Sequence, residues 1–538
     1  MTPPPQLLRV YRSIDDLLAY AQEYLDLDAR DITLSRNRIF EIFSLDSYPG
    51  AEKLRALLDS AEGAECVPAD STSGEPAPAD PTSAEPATAD PTVTAPVHGG
   101  RPDNVLSEFL DACENAALIE PGGRAALADR VMGILSSPPS VIRTKFAGLN
   151  AAAGGRAAME WLYNYGVAND YVKRSVLDRN PRFESQGLII TINLAKPEFK
   201  DPSTAASGNS LKGGYPKCTI CPENEGFAGR SKATLRTVPV RLAGQDWFWQ
   251  FSPYGYFTQH GIAVNTEHIP MHIDEATFDR LMDFVDAFPG YFIGCNATLP
   301  RIGGSVLGHD HYQGGLETLP LHTTPARHSY TSPEECAVVL ESVEWPGSVL
   351  RVVGRDRAAV TRASYGITRA WNTYTNERLG IIPRDAEGQH SGVSPTCVRT
   401  ARGYEMNIIL RSNITSERYP QGVFHAHPEF FPVKQESIGL IEAQGLFILP
   451  ARLQRQLALL AQALEDGREL PEELPEFAMI FEEIRQLLGG SRDKESVADA
   501  IRAELGSVCV RILENTAVFP SESDTASFLA ECGWYPQA

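Results

Sequence analysis

No stretch of this sequence approaches the ~20 consecutive apolar residues that a membrane-crossing helix needs. The longest apolar runs, such as Gly187 to Ala195, are the length of a strand. The start, Met1 to Arg12, is proline-rich and soon charged, without the apolar centre of a signal peptide. Basic residues are too few to form a general polyanion surface: 48 Lys and Arg stand against 69 Asp and Glu, for a formal net charge of -21. Nucleic acid and anionic membranes are therefore poor partners, and a phosphorylated ligand needs a local site working against the global field. The nine cysteines are odd in number and scattered except for one close pair, unlike a secreted disulfide framework. The expectation is a cytoplasmic protein with reduced thiols. A phosphate-cradling G-x-x-x-x-G-K-[ST] loop and a metalloprotease H-E-x-x-H are both missing. Asn296-x-Thr298 and Asn413-x-Thr415 match glycosylation acceptors, which a cytosolic chain makes accidental.

What is present is enough for two or three domains: 538 residues, 43% of them hydrophobic. The N-terminal part reads as helical. Ile14, Leu17, Leu18, Ala21 and Tyr24 repeat at helical spacing behind an expected capping box at Ser13 and Asp16. Further amphipathic segments run over Asn104 to Ala117 and Gly122 to Leu135. Between them lies an acidic tract of Ala, Asp, Pro, Thr, Ser and Glu. Its Ala-Asp pairs recur at Ala69, Ala79 and Ala89, and it is too polar and proline-rich to stack into a core. The expectation there is a disordered insertion.

From about Phe183 the pattern turns to mixed strand and helix. Gly187 to Leu194 reads as a buried strand, and Asp246 to Tyr254, Gly261 to Asn265, Tyr291 to Ala297 and Glu405 to Leu410 as further strands. Asp274 to Phe288 reads as a helix with Phe278, Leu281, Met282 and Val285 on one face. Late helices are expected over Ala451 to Glu465 and near Glu495 to Leu505. Strands and helices in this order point to an α+β class.

Three constellations could carry chemistry. In Gly303 to Gly315, His309, His311 and Gln313 alternate, so an extended strand would project them to one face. Flanking glycines would let a bulky ligand approach. A neutral imidazole is a good nucleophile near pH 7, and a carboxamide NH2 donates to phosphate oxygens without a charge change. The plain alternative is two surface histidines in a loop. Cys218 and Cys221 form a C-x-x-C pair, half of a zinc site or a redox pair. The redox reading lacks its βαβ context, and His268 with His309 can complete a Cys2His2 tetrahedron. Two unconnected buried cysteines are the alternative. In Phe424 to Phe430, His425 and His427 alternate before Glu429. A second metal, phosphate binding and plain structural use all remain open there.

Taken together, SRNRIFEIF, YPKCTICPENEGFAGR, WFWQFSPYGY, AVNTEHIPMHID, GCNATLPRIGGSVLGHDHYQGG and FHAHPEFFPVKQESIGLIEAQGLFILPARL resemble the second, bacterial class of galactose-1-phosphate uridylyltransferases. The resemblance covers nearly the whole chain. The first class of that enzyme belongs to the histidine-triad superfamily, with two related α+β halves. The fold it implies is α+β: two histidine-triad-like halves, an N-terminal helical region and the acidic insertion. The expected boundaries are 1–64 and 101–182 for the helical region, 65–100 for the insertion, 183–330 for the first half and 331–538 for the second. The resemblance implies that His311 is uridylylated and that Gln313 holds the transferred phosphoryl group. It also implies one structural zinc on Cys218, Cys221, His268 and His309. Asn296 and Ser305 would lie on the phosphate side, Ser252 and Tyr254 on the nucleotide, and Lys434 and Glu442 on the hexose phosphate. His425 and His427 fall on a second metal site of the first class. Asp310 stands where that class has proline. The implied partners are a UDP-sugar and a hexose 1-phosphate, and first-class relatives pair as dimers. Other readings are a histidine-triad hydrolase, a transferase for another sugar phosphate, and a non-catalytic zinc-stabilised nucleotide-binding protein.

Overall fold

The computed structural model describes residues 3–65, 100–194, 214–304 and 306–537. The acidic tract lies outside them but for its two ends, and so does Ser305. None of the described helices is long and apolar enough to cross a membrane.

The chain forms two compact units: Met1–Pro138 with Asn164–Tyr171 and Gly226–Leu235, and Pro139–Tyr163 with Val172–Glu225 and Arg236–Ala538. The first is helical, with helices Pro5–Tyr24, Ile32–Ile42, Ala51–Glu65, Asp103–Asn115 and Arg124–Leu135. Helix Pro5–Tyr24 buries Ile14, Leu17, Leu18 and Ala21 as the spacing predicts, but it starts earlier than expected. Pro5 is at home in a first turn, and Leu8, Val10 and Tyr11 carry the apolar face back to it. Ser13 is thus mid-helix, its hydroxyl donating to the Val10 carbonyl, and the capping box expected there does not form. Asn169 donates to the Thr234 carbonyl and Asp129 accepts from the Ala233 amide, which ties the outlying segments to this unit.

The second unit carries two sheets and a ribbon. Its strands are β1 Arg182–Ser185, β2 Leu188–Asn193, β3 Val238–Leu242, β4 Gln245–Phe251, β5 Gly261–Asn265, β6 Phe292–Gly294, β7 His311–Gly315 and β8 Ala326–Thr331. They continue as β9 Val338–Val343, β10 Val349–Gly354, β11 Arg384–Asp385, β12 Gly388–Gln389, β13 Ser391–Thr400, β14 Gly403–Ser412, β15 Leu446–Pro450 and β16 Tyr535–Pro536. The large sheet runs β16-β8-β9-β10-β14-β13-β6-β7-β5-β4-β3.

That order contains a repeat. β3, β4 and β5, helix Glu275–Ala287, then β6 and β7 form one α+β half. β8, β9 and β10, helix Arg357–Trp371, then β13 and β14 form another with the same connectivity and the same spatial order. The halves join where β6 meets β13 antiparallel, Gly294 opposite Thr396 and Ile293 opposite Cys397. Asp274 caps the first of the two helices, its carboxylate accepting from the Thr277 amide at 2.9 Å while the Thr277 hydroxyl accepts from the Asp274 amide at 3.0 Å.

β2 pairs antiparallel with β1 and parallel with β15 in the small sheet. Its unbroken apolar run reflects burial on both faces. Leu188, Ile190 and Ile192 enter a core with Leu453, Leu460, Ile484, Val508 and Ile512. Ile189 faces Phe257, Phe292 and Ile441. The last long helix spans Lys494–Thr516, well past the expected Leu505, because Val508, Cys509, Ile512 and Leu513 extend its buried face.

Candidate functional site

β7 sits inside the large sheet. Val264 of β5 is opposite His311, and Gln313 lies between Ile262 and Gly294. Tyr312 points to the helix side, where it stacks on Trp247 at 4.7 Å and accepts from Arg280 of helix Glu275–Ala287 at 3.2 Å. His311 and Gln313 therefore share the opposite face, held from behind by Tyr312.

The strand begins at His311, and His309 belongs to the turn before it. Asp310 links the two: its amide donates to the Ile269 carbonyl at 2.7 Å and its carbonyl accepts from the Asn265 amide at 3.0 Å. The backbone thus keeps strand-like pairing at the residue where first-class relatives carry proline, although the Asp310 side chain is fully buried.

The His309 ring turns into a knot with Cys218, Cys221 and His268, whose ligand atoms lie within 4.8 Å of one another. The sulfurs are 3.4 Å apart, and the nearest sulfur–nitrogen separations are 3.1 Å from Cys221 to His268 and 3.3 Å from Cys218 to His309. A tetrahedral zinc with bonds of about 2.0–2.3 Å sets such edges at roughly 3.5–3.8 Å, so the short edges need a small expansion and the widest a contraction to close on an ion. The donor chemistry fits as well. Burial raises the Cys221 thiol and lowers both imidazoles, His309 to about 4. That leaves neutral nitrogen ligands and a Cys221 thiol that needs a cation to ionise. Asn224 braces the loop by donating to the Cys218 and Cys221 carbonyls, both at 2.9 Å. Ile220, Phe248 and Val264 pack beneath it.

The knot and the candidate nucleophile are joined by a short chain of bonds. With Nδ1 of His309 toward the sulfurs, its Nε2–H donates to the Asn265 carbonyl at 2.8 Å. The His309 carbonyl accepts from Nδ1–H of His311, also at 2.8 Å. That bond places the His311 proton on Nδ1 and leaves the lone pair on Nε2. Burial lowers the His311 pKa, which favours the uncharged ring.

Other expected residues fall in different places. Asn296 is buried and accepts from the Leu440 amide at 2.9 Å, pinning the loop before β7 to the turn that carries Glu442. Glu442 accepts from the Gly439 amide at 3.1 Å and from Lys434 at 3.0 Å. Lys434 is buried and spends its three donors on Glu442, Glu436 and the Ile448 carbonyl. It supports Glu442, with all three donors engaged. Ser252 lies beside His260, its amide donating to the His260 carbonyl at 2.8 Å, while Tyr254 is exposed. Among the described residues, His425 and His427 gather no third ligand. His425 donates to the Ala426 carbonyl, and His427 donates to the Val423 carbonyl and stacks on Tyr419 at 4.1 Å.

The glycines also need correction. At Gly314 a Cβ would stand 2.1 Å from the Phe292 carbonyl oxygen, and at Gly303 2.3 Å from the Gly439 Cα. These positions are small because neighbouring backbone fills the space, rather than to admit a ligand; Gly308 alone of the flanking set has open space around it. Sequence reasoning missed Asn224, Asn265 and Arg280. An Asp274-x-x-Thr277 cap was readable and leads to Arg280, but a backbone acceptor such as the Asn265 carbonyl leaves no mark in a sequence.

Comparison with known proteins shows the family. The family model for the galactose-1-phosphate uridyl transferase N-terminal domain matches residues 122–270. A galactose-1-phosphate uridylyltransferase of Bifidobacterium longum subsp. longum is 51% identical over 530 residues, 98% of this chain and 99% of that one. Its counterpart from Halalkalibacterium halodurans is 33% identical over 96% of each chain. That of Bacillus subtilis is 38% identical over 74% of this chain and 80% of its own. At such identity over nearly its full length, the chain belongs to the galactose-1-phosphate uridylyltransferase family.

Proposed function

We propose that this chain is a nucleotidyltransferase of galactose metabolism that moves UMP from UDP-glucose to galactose 1-phosphate through a covalent intermediate on His311. In the first step Nε2 of His311 attacks the α-phosphorus. The nitrogen–phosphorus bond forms as the phosphorus–oxygen bond to glucose 1-phosphate breaks, and that oxygen leaves with the electron pair. In the second step a phosphate oxygen of galactose 1-phosphate attacks the same phosphorus and the pair returns to Nε2. No proton has to leave the ring in either step, because Nδ1–H remains on the His309 carbonyl. That hydrogen bond is the single observation that carries the reading.

One phosphate anhydride replaces another, so position and charge stabilisation are what the protein must supply. Gln313, one strand step beyond His311 on the same face, offers NH2 to the non-bridging oxygens. Losing one such donor typically costs ~10²–10³ in rate. Cys218, Cys221, His268 and His309 would hold a zinc whose part is structural, and these four residues would then stiffen the approach to β7. Asn296 would line the phosphate side and Glu442 the sugar. The reading places the enzyme in the cytoplasm as a homodimer.

The test is isotope exchange without galactose 1-phosphate. Labelled glucose 1-phosphate should enter UDP-glucose in the parent enzyme and not in His311→Asn. A folded, zinc-loaded enzyme that exchanges no label overturns the double displacement. UMP accumulating instead would make the chain a hydrolase, and tight UDP-glucose binding without exchange would make it a binding protein.

A further inference from the structure

We infer that His260 is a positioning residue for Gln313: it holds the carboxamide oxygen, and so turns the NH2 toward the transferring phosphoryl group. The inference deepens the role proposed for Gln313 and rests on it.

His260 immediately precedes β5, whose Gly261 is opposite Gly314 and whose Ile262 is opposite Gln313. Its ring is buried, 6% exposed, between Tyr256 at 5.1 Å and Phe257 at 4.5 Å. The Tyr256 amide donates to Nδ1 at 3.4 Å. A backbone N–H can only donate, so Nδ1 must carry the lone pair. Burial holds the ring neutral, with a pKa of about 4, so its one proton is on Nε2.

That Nε2–H is buried and makes no hydrogen bond of good geometry among the described residues, which is a costly state for a donor. The polar side chain beside it is Gln313, which shares its face of the sheet because Ile262, two residues beyond His260, is opposite Gln313. Gln313 is half-buried. A carboxamide has one accepting end and one donating end. Facing Nε2–H with its oxygen satisfies the buried donor; facing it with NH2 sets donor against donor. The first orientation sends the amide hydrogens toward the ligand side.

The chain builds the same device, completed, elsewhere. The Leu319 amide donates to Nδ1 of His322 at 3.2 Å, and Nε2–H of His322 donates to the Gln444 carboxamide oxygen at 2.9 Å. Gln444 then spends its NH2 on the Leu440 carbonyl at 3.1 Å. A histidine with Nδ1 blocked by a backbone amide thus orients a glutamine.

The experiment is a double-mutant cycle on the zinc-loaded enzyme, read as kcat and KM in the labelled exchange reaction. His260→Phe should lower kcat by about 10–100-fold, as losses behind a working residue do, with little change in KM. In a Gln313→Ala background the same substitution should cost nothing further. His260→Gln presents an amide NH2 near the Nε2 position and should recover most of the lost rate. His260→Asn, whose amide matches Nδ1, should not. This pair decides the matter even if the phenylalanine variant does not fold, with zinc content and melting temperature as the check on each protein. Equal losses in the parent and Gln313→Ala backgrounds, or asparagine serving as well as glutamine, would overturn the role of His260. An undiminished kcat in Gln313→Ala alone would instead overturn the assignment of Gln313, and the orienting role with it.

Discussion

Removing the zinc proposed for the knot separates a structural ion from a chemical one, and the structure sets the size of the effect. β7 does not depend on the knot for its place in the sheet. It pairs with β5 and β6, and from behind Tyr312 stacks on Trp247 and accepts from Arg280. What loosens is His309, whose carbonyl fixes the tautomer and direction of His311. One neutral hydrogen bond of this kind is worth about 1 kcal/mol net, close to a factor of five. Disturbing the residues behind a site commonly costs 10–100-fold. The expected outcome of stripping zinc, by chelation or by Cys218→Ser, is therefore a fall in kcat of about 10–100-fold with KM for UDP-glucose nearly kept. The melting temperature should fall as well, because metal binding is coupled to folding. Elemental analysis reports the metal, label exchange the rate, and calorimetry the fold. Added zinc should restore the chelated parent and not the serine variant. Full kcat in metal-free protein would refute the chain of bonds from the knot to His311. A loss beyond about 10⁴-fold in protein that melts normally would refute the structural role and place the ion in the chemistry.

Lys434→Met should destabilise the protein by about 3–5 kcal/mol in denaturant titration, because it leaves buried Glu442 and partly buried Glu436 without their cation; a midpoint equal to the parent's would refute the contribution of that ion pair. Gly314→Ala should disturb the β6–β7 pairing, since its Cβ would collide with the Phe292 carbonyl; amide exchange at β6 should rise, and unchanged protection would count against the register. His322 is held to a pKa of about 4 by burial, against 6.5 when free. The unfolded chain therefore takes up the proton first as pH falls, so this residue's contribution is complete above pH 6.5 and drains away toward pH 4, by on the order of 3 kcal/mol. His322→Gln should flatten that part of the stability profile, and an unaltered slope would mean that the ring is charged in the folded state.

The extent to which the site was readable depended on how local its causes are. β5 was read as Gly261 to Asn265 and found there, because strand alternation and burial act within five residues. The helix over Asp274 to Phe288 was equally legible: its cap, its apolar face and its length are all local properties. The Cys218, Cys221, His268 and His309 set came from ligand chemistry and resemblance, and the fold brings those four together. What could not be read was set by distant backbone. His309 leaves the strand because its ring is drawn to sulfurs about 90 residues away and its Nε2–H to the Asn265 carbonyl. Gly314 looks like an opening for a ligand until the neighbouring strand is known to lie against it. Lys434 carries no mark in the sequence of the two carboxylates and the carbonyl that the fold gives it. The meeting of β6 with β13 joins residues a hundred positions apart through a strand of only three residues. Its register is fixed by the repeated halves on either side, so no window of sequence around Ile293 could disclose it.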